Sequence, residues 1–149
     1  MYAWEKGFRK REVKKWINQQ IARYKEDGYG YFAVTLKDTG KLIGQAGLLK
    51  TEINGKEVVE IGYIFDNSVW GQGYCIEAAK ACVALAFEEF GIDKLYCAVK
   101  TDNEPSIKIA EKLGMTLEGE FVKVFEEKEM PHLIFILEND ASSHQQINP

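Results

Sequence analysis

The sequence predicts an α/β (α+β) domain built on a mixed, mostly antiparallel central sheet, with one parallel pair of strands and helices on both faces. First, the chain has 149 residues, of which 46% are hydrophobic and 28% charged, as in one globular domain. Second, its segments alternate between helical and strand periodicity. Third, their order is a helix, three strands, and then two helices that are each followed by strands. That order requires a crossover that pairs two strands in parallel.

The first half of the chain predicts one amphipathic helix and three strands. Apolar residues at helical spacing mark the helix, and runs rich in β-formers, separated by glycine-containing turns, mark the strands. In order, these elements cover residues 8–25, 31–36, 42–48 and 58–65. The last strand is apolar on both faces apart from Glu60, which is the pattern of a buried central strand.

The second half predicts two helices, at residues 76–90 and 105–113, and three further strands. Pro105 near the start and Gly114 just after the end are typical of helix boundaries. The strands cover residues 95–99, 121–125 and 133–137. Strands 58–65 and 95–99 form the parallel pair. Ligands collect at the carboxyl ends of parallel strands, so we expect the site near residues 66–76. We expect residues 1–138 to form a single domain and residues 139–149, which are polar and aperiodic, to form a tail.

Charge and cysteine content narrow the class of protein. The formal net charge of -4 argues against nucleic-acid binding, which usually needs a basic surface. The three cysteines include no Cys-x-x-Cys pair, and no apolar run is long enough for a signal peptide or a membrane span. These features predict a protein of the reducing cytoplasm with no membrane partner. The sequence has only two histidines, which offer few ligands for a zinc site of the usual His/Cys type, so no metal is expected.

A glycine-containing turn at residues 70–78 follows a buried strand and opens a helix. The unpaired N–H groups and the positive dipole end of a helix start bind phosphate, and glycines let a ligand approach the main chain. Tight packing alone can also require two glycines here. A P-loop is absent because no Lys-Ser/Thr follows the glycines, and the spacing does not fit the dinucleotide fingerprint.

Four motifs in a fixed order make the signal specific. They are Glu60-Ile61-Gly62-Tyr63, Trp70-Gly71-Gln72-Gly73-Tyr74, Asn103-Glu104-Pro105-Ser106 and Lys112-Leu113-Gly114-Met115. Together they resemble the GNAT superfamily of N-acetyltransferases, in particular the subgroup similar to the Rim-type (RimJ/RimL-like) ribosomal-protein N-terminal acetyltransferases. The resemblance covers residues 13–138. Trp70 replaces the Arg or Gln that usually begins the coenzyme A-binding turn, as is typical of this subgroup, and Cys75 takes its small final position.

This resemblance implies a co-substrate and a reaction. The parallel strands are expected to splay and admit the pantetheine arm of acetyl-CoA, and the acetyl group to pass directly to a primary amine in a ternary complex. No acyl-enzyme and no metal are implied. The cofactor-binding residues implied by the resemblance are Ile64, Phe65, Gly71, Gln72, Gly73, Tyr74, Cys75, Ile76, Asn103 and Ser106.

Two residues are candidates for catalysis. Glu60 is a candidate base. A carboxylate on an otherwise apolar strand is expected to lose its hydrating water, which makes it a better proton acceptor for an ammonium group. The alternative is a structural carboxylate paired to a lysine. Ser106 resembles the family position that protonates or hydrogen-bonds the leaving thiolate; the alternative is an ordinary first-turn serine. Asn103 could equally be a helix cap. Glu126 and Glu127 could recognise the amine, although a charged hairpin explains them more simply.

Cys75 invites comparison with catalytic nucleophiles, because a helix start lowers the pKa of a thiol. No histidine lies nearby in sequence to act as its base, so we interpret it as a small residue beside the phosphates. The acceptor stays open between a protein N-terminus and a small molecule such as a polyamine, an aminoglycoside or an amino acid. A coenzyme A-binding module without turnover is a further alternative.

Family members usually begin with an additional strand and helix, and this sequence starts after them. Without that strand, residues 31–36 would form an open sheet edge, which proteins normally cover. A homodimer or a strand exchange is therefore expected to cover it.

Overall fold

The computed structural model describes residues 10–140, which form a six-stranded sheet and three α-helices. In chain order the elements are α1 (Lys10–Asp27), β1 (Tyr31–Thr35), β2 (Leu42–Ile53), β3 (Lys56–Phe65), α2 (Tyr74–Ala84), β4 (Lys94–Lys100), α3 (Glu104–Lys112), β5 (Thr116–Phe125) and β6 (Lys128–Glu138). A 3₁₀ turn (Asn67–Val69) precedes α2 and a π-helical turn (Leu85–Glu89) follows it. Residues 8 and 9 of the predicted first helix, and residues 141–149 of the predicted tail, lie outside the described residues.

The strand order β1-β2-β3-β4-β6-β5 confirms the predicted sheet. All neighbouring strands are antiparallel except β3 and β4. That parallel pair is joined through only two residue pairs, Val59 with Leu95 and Glu60 with Tyr96. Beyond Glu60 the two strands diverge, so the carboxyl end of β3 borders a gap in the sheet.

The hairpin of β2 and β3 is longer than predicted. It turns at Asn54 and Gly55, whose φ angles of 51° and 80° match the left-handed residues of a two-residue turn. Residues 49–53 continue β2 because buried Leu49 and Ile53 alternate with exposed charged residues. The extension places Thr51 on β2 opposite Val58, near the start of β3.

The main core lies between one face of the sheet and the helices α2 and α3. Ile61 and Phe65 of β3 pack there against residues of both helices, including Ala79 and Ala110. The helix predicted at residues 76–90 begins two residues earlier and ends in the π-helical turn. A smaller cluster on the opposite face contains Ile53, Val58, Tyr96 and Ile134.

Helix α1 lies on the face opposite α2 and α3. The Gln20 side-chain oxygen accepts a hydrogen bond from the Tyr31 N–H at 3.0 Å, and Gln20 is only 3% exposed. The Trp16 and Tyr31 rings lie 6.0 Å apart. These contacts fix β1, which is one of the two edge strands of the sheet formed by residues 10–140. Whether a second copy covers this edge stays a prediction.

The C-terminal hairpin also extends beyond its predicted bounds. Strand β5 begins at Thr116 rather than at residue 121. A register shift between Leu117 and Gly119 interrupts the alternation of its first residues, so the sequence pattern did not reveal them. Glu126 and Glu127 form the turn, with φ angles of 51° and 64°, as the simpler interpretation predicted. Asn139, the first residue of the predicted tail, is buried and its Nδ2 donates to the Ile92 carbonyl at 3.1 Å.

Candidate active site

A cleft of about 220 Å³ lies at the divergence of β3 and β4, bordered by α3 and by the start of α2. Six of the ten predicted cofactor-binding residues line it: Ile64, Phe65, Gly71, Cys75, Asn103 and Ser106. The other four, Gln72, Gly73, Tyr74 and Ile76, lie in the turn and the first turn of α2 without lining this cleft. With Tyr63 and Lys112, which also line the cleft, the structure brings residues from all four sequence motifs to one place.

The turn before α2 leaves room for an anion. Gly71 and Gly73 have φ angles of 81° and 84°, a backbone conformation that favours glycine. A Cβ added to either glycine would meet no atom within 4 Å, so open space adjoins the main chain. The first intrahelical bond of α2 runs from the Glu77 N–H to the Gly73 carbonyl, so the preceding N–H groups have no partner inside the helix. Phosphate groups fit such a helix start.

Trp70 fixes this turn to the sheet. Its indole Nε1 donates a hydrogen bond to the Phe65 carbonyl at 3.0 Å, across the turn from the last residue of β3. The sequence indicated only that Trp70 departs from the usual residue of the motif. The structure shows that the indole closes the turn.

Tyr63 spans the gap between the diverging strands. Its hydroxyl donates to the Ser106 carbonyl at 2.9 Å and lies 3.6 Å from Cys97 Sγ. Burial raises the pKa of Tyr63 far above its ordinary value, so the phenol keeps its proton. Tyr63 therefore joins β3 to β4 and α3, a role that its place in the motif did not reveal.

Asn103 is the N-cap of α3. Its Oδ1 accepts a hydrogen bond from the Ser106 N–H at 3.3 Å, as the alternative interpretation predicted. Asn103 and Ser106 both also line the cleft. Since the cap uses only the amide oxygen, capping and ligand contact are compatible.

The thiol of Cys75 is not an activated nucleophile. Burial, with a smaller contribution from Cys82, raises the pKa of Cys75 to about 11. The reactive thiolate is therefore scarce at neutral pH. This agrees with the interpretation of Cys75 as a small residue beside the ligand.

Glu60 lies on the face opposite α2 and α3, at the last residue pair before the strands diverge. Its side chain is half-buried, and its Oε2 accepts a hydrogen bond from Thr51 Oγ1 at 2.5 Å. Among residues 10–140, no lysine or arginine forms an ion pair with it. The lysine-paired structural carboxylate considered as an alternative is thus absent from the described part of the chain.

A second, larger cavity of about 770 Å³ lies between α1 and the sheet face that carries Glu60. Its walls are mostly apolar, and among the described residues that line it Asp66 alone is charged. Ile64 and Phe65 line both cavities, so the two cavities border the same end of β3. Gln45 also lines the larger cavity, and its buried Nε2 has no hydrogen-bond partner among residues 10–140.

A mixed sheet with a splayed parallel pair and a glycine turn at a helix start defines a coenzyme A-binding acyltransferase domain. The model of the acetyltransferase (GNAT) domain family matches residues 1–116. The chain belongs to the GNAT acetyltransferase family, in which acetyl-CoA is the co-substrate. The open glycine turn and the adjoining cleft fit that molecule.

Bacterial relatives support this assignment. The chain is 37% identical over 106 residues to the uncharacterized protein YkkB of Bacillus subtilis, a match covering 71% of this chain and 62% of that one. It is 31% identical over 122 residues to the uncharacterized N-acetyltransferase YnaD of the same organism, covering 82% and 68%. Spermidine N(1)-acetyltransferase of Escherichia coli is 35% identical over 83 residues, covering 54% and 45%. The chain thus spans less than two thirds of the length of YkkB.

Solved structures confirm the fold. The ribosomal-protein-S5-alanine acetyltransferase of Vibrio fischeri superposes with a TM-score of 0.72 at 24% identity, over 86% of this chain and 71% of that one. RimL, a ribosomal-protein acetyltransferase in complex with coenzyme A, gives a TM-score of 0.76 at 20% identity, over 90% and 75%. At these identities the likeness concerns the fold alone.

Two features of the described residues concern metal binding and membrane insertion. Within residues 10–140, no group of three or more His, Cys, Asp or Glu side chains is arranged to hold a metal ion. None of the helices in this described part combines the length and hydropathy of a membrane span.

Proposed function

We propose that this chain catalyses acetyl-CoA-dependent N-acetylation of a primary amine, by direct transfer in a ternary complex. The observation that carries the proposal is that two cavities border the same end of β3, at Ile64 and Phe65. The smaller cavity adjoins the glycine turn and suits the co-substrate. The larger one lies on the face of Glu60 and suits the acceptor.

The co-substrate would be held by main-chain and side-chain groups around the smaller cleft. Main-chain N–H groups of Gly71, Gln72, Gly73, Tyr74, Cys75 and Ile76 would receive the phosphates. Ile64 and Phe65 at the diverging end of β3, together with Asn103, would hold the pantetheine arm. When bound, acetyl-CoA supplies the acetyl group as a thioester, which an uncharged amine can attack directly.

Glu60 and Ser106 would carry out the two proton transfers of the reaction. Glu60 would take the proton of the acceptor ammonium and leave the nitrogen lone pair free, as a general base does. The Thr51 hydroxyl keeps one carboxylate oxygen in place. Ser106, which lines the cleft, would donate a proton or a hydrogen bond to the departing sulfur. The chain thus offers a base on the acceptor side and a hydroxyl on the co-substrate side.

A peptide N-terminus is the acceptor that the larger cavity favours. Its apolar walls would accommodate apolar side chains of the first residues. The unpaired Gln45 Nε2 is a buried donor that needs an acceptor atom, and a peptide carbonyl supplies one. A polyamine has no such oxygen, and its further ammonium groups would meet Asp66 as the sole charged residue among those described in the lining. A polyamine is still the second candidate, because the Escherichia coli relative is named for spermidine.

Three acceptors distinguish these possibilities. Leucyl-phenylalanine amide is apolar and has a carbonyl, phenethylamine is apolar without one, and spermidine is polycationic. We expect the highest kcat/KM with the dipeptide amide, a lower value with phenethylamine and the lowest with spermidine. The reverse order would assign a polyamine-type acceptor.

The non-catalytic alternative needs a separate measurement. A rise in the thermal midpoint with acetyl-CoA and with coenzyme A, but not with ATP, would establish cofactor binding. Binding without transfer to any of the three amines would favour a coenzyme A-binding module. No rise with either coenzyme A species would contradict the enzyme proposal at its first step.

A further inference from the structure

Tyr31 is anchored at three points on the acceptor side of the sheet. Its N–H donates to Gln20 Oε1 at 3.0 Å, and its carbonyl accepts a hydrogen bond from the Tyr24 hydroxyl. The Trp16 ring packs against its ring at a centroid distance of 6.0 Å. The main chain of Tyr31 is therefore held at two points and its ring at one, before any substrate binds.

The Tyr31 ring crosses β2 and reaches β3 over two glycines. In the register of the sheet, Tyr31 pairs with Gly47, and Gly47 pairs with Gly62. A Cβ added to Gly62 would lie 2.3 Å from the Tyr31 hydroxyl oxygen. A side chain at position 62 would clash with this hydroxyl, so the glycine of the Glu60-Ile61-Gly62-Tyr63 motif leaves the space that the Tyr31 hydroxyl occupies.

The Tyr31 hydroxyl lies on the face of Glu60, one alternation further along β3. Burial, followed by the charge of Glu60, raises the pKa of Tyr31 to about 12, so the phenol is protonated at neutral pH. Within residues 10–140, no group forms a hydrogen bond with this hydroxyl. Tyr31 also lines the larger cavity, so its ring extends from the wall of that cavity to Gly62, two residues from Glu60 on β3.

We propose that Tyr31 is an acceptor-binding residue, whose hydroxyl oxygen receives a hydrogen bond from the N–H of the incoming amine and holds the nitrogen beside Glu60. This inference rests on the proposed function. It assigns a role to a residue that belongs to none of the four sequence motifs. It also explains the glycine of the motif as the place where the phenol of β1 enters the site.

The variant Tyr31→Phe tests the inference with leucyl-phenylalanine amide as the probe. Loss of one hydrogen bond to the amine should raise the KM for the amine about tenfold, with a smaller change in kcat. The Kd for acetyl-CoA and the thermal midpoint should match wild type. In calorimetry, the dipeptide amide should bind the coenzyme A-saturated variant about tenfold more weakly. Tyr29→Phe is the matched control, because it removes the same group from a tyrosine on the other face of the sheet. Tyr29 packs edge-on against Phe90 in the main core.

Gly62→Ala approaches the same contact from the other side. The new Cβ would displace the Tyr31 hydroxyl, so this variant should show the same rise in KM. In the Tyr31→Phe background the substitution should cost less, because the nearest ring atom is then Cζ at 2.9 Å. Fully additive effects would contradict a shared contact.

The outcomes separate this inference from the proposed function. A wild-type KM for the amine in Tyr31→Phe, with wild-type binding in calorimetry, overturns the inference and leaves the proposed function intact. Absence of transfer by the wild-type protein to all three amines overturns the proposed function, and the inference falls with it. A raised KM in Tyr31→Phe but not in Tyr29→Phe supports both.

Discussion

Thr51 on β2 donates a hydrogen bond to one carboxylate oxygen of Glu60 on β3, at 2.5 Å. This contact fixes the orientation of the proposed base. Thr51→Val keeps the side-chain shape and removes the donor, so we expect kcat to fall roughly fivefold, as expected for one hydrogen bond. Thr51→Ser keeps the donor and should recover most of the rate. Steady-state kinetics with saturating acetyl-CoA measures both variants, and equal rates in Val and Ser would show that the contact is only structural.

Replacement of Glu60 by Gln removes the base without changing the size of the side chain. We expect kcat to fall about a hundredfold, the lower range for loss of a general base. The Kd for acetyl-CoA should change little, because Glu60 does not line the co-substrate cleft. Glu57→Gln is a suitable control, since Glu57 is exposed on the same strand. Wild-type rates for Glu60→Gln across the pH range would remove Glu60 from the mechanism.

Two substitutions at Asn103 separate capping from ligand binding. Asn103→Ala loses the bond to the Ser106 N–H and should lower the free energy of unfolding by about 1 kcal/mol. Asn103→Asp keeps a capping oxygen and replaces the amide donor with a second carboxylate oxygen and a negative charge. We expect both variants to bind coenzyme A more weakly in calorimetry, but only Asn103→Ala to be less stable. Normal coenzyme A affinity in Asn103→Asp would leave Asn103 with the capping role alone.

The cysteines predict a distinct response to alkaline pH. Burial raises the pKa of Cys75 and Cys82 to about 11, and that of Cys97 to about 12, from 9.0. At pH 8 the thiolate fraction of Cys75 is then roughly a hundredfold lower than in the unfolded chain. Alkylation by iodoacetamide, followed by mass spectrometry, should be slow in the native protein and fast in urea.

The same pKa shifts determine how stability depends on pH. The native state holds these protons more tightly than the unfolded state, so the associated stability is present below pH 9 and is lost as the pH rises through about 11. The thermal midpoint should decline over that range. If Cys75 were alkylated in the native protein at pH 7 as fast as in urea, the nucleophilic interpretation would have to be reconsidered.

Much of the fold could be predicted because its signals are local. Period-two alternation, glycine turns and the proline at the start of α3 locate most elements to within a few residues. The predicted strand bounds are wrong where the alternation of apolar and polar residues is weak. Residues 49–53 of β2 carry two charges, and residues 116–120 of β5 contain a glycine beside a register shift. A single sequence does not distinguish such segments from loops, because the strand partners that stabilise them lie elsewhere in the chain.

The residues of the candidate site also differ in how local their sequence signals are. Gly71, Cys75, Asn103 and Ser106, which line the cleft, could be predicted to lie together because each belongs to a contiguous motif. The contacts of Tyr31 and Thr51, by contrast, arise from the register of the β1-β2-β3 hairpins, which places residues far apart in sequence on one face. The glycine at position 62 is the sequence feature that such a contact explains, because a side chain there would clash with the Tyr31 hydroxyl.

The short parallel pairing has a mechanical consequence. Since β3 and β4 share two residue pairs, the sheet consists of two antiparallel ribbons, β1-β2-β3 and β4-β6-β5, joined along a narrow seam. The amides of β3 beyond Glu60 that point towards the gap should exchange with deuterium faster than those bonded to β2, and coenzyme A should slow only the former. We therefore expect any change in the mutual angle of the two ribbons to occur at this seam, while each ribbon keeps its own hydrogen-bonded ladder.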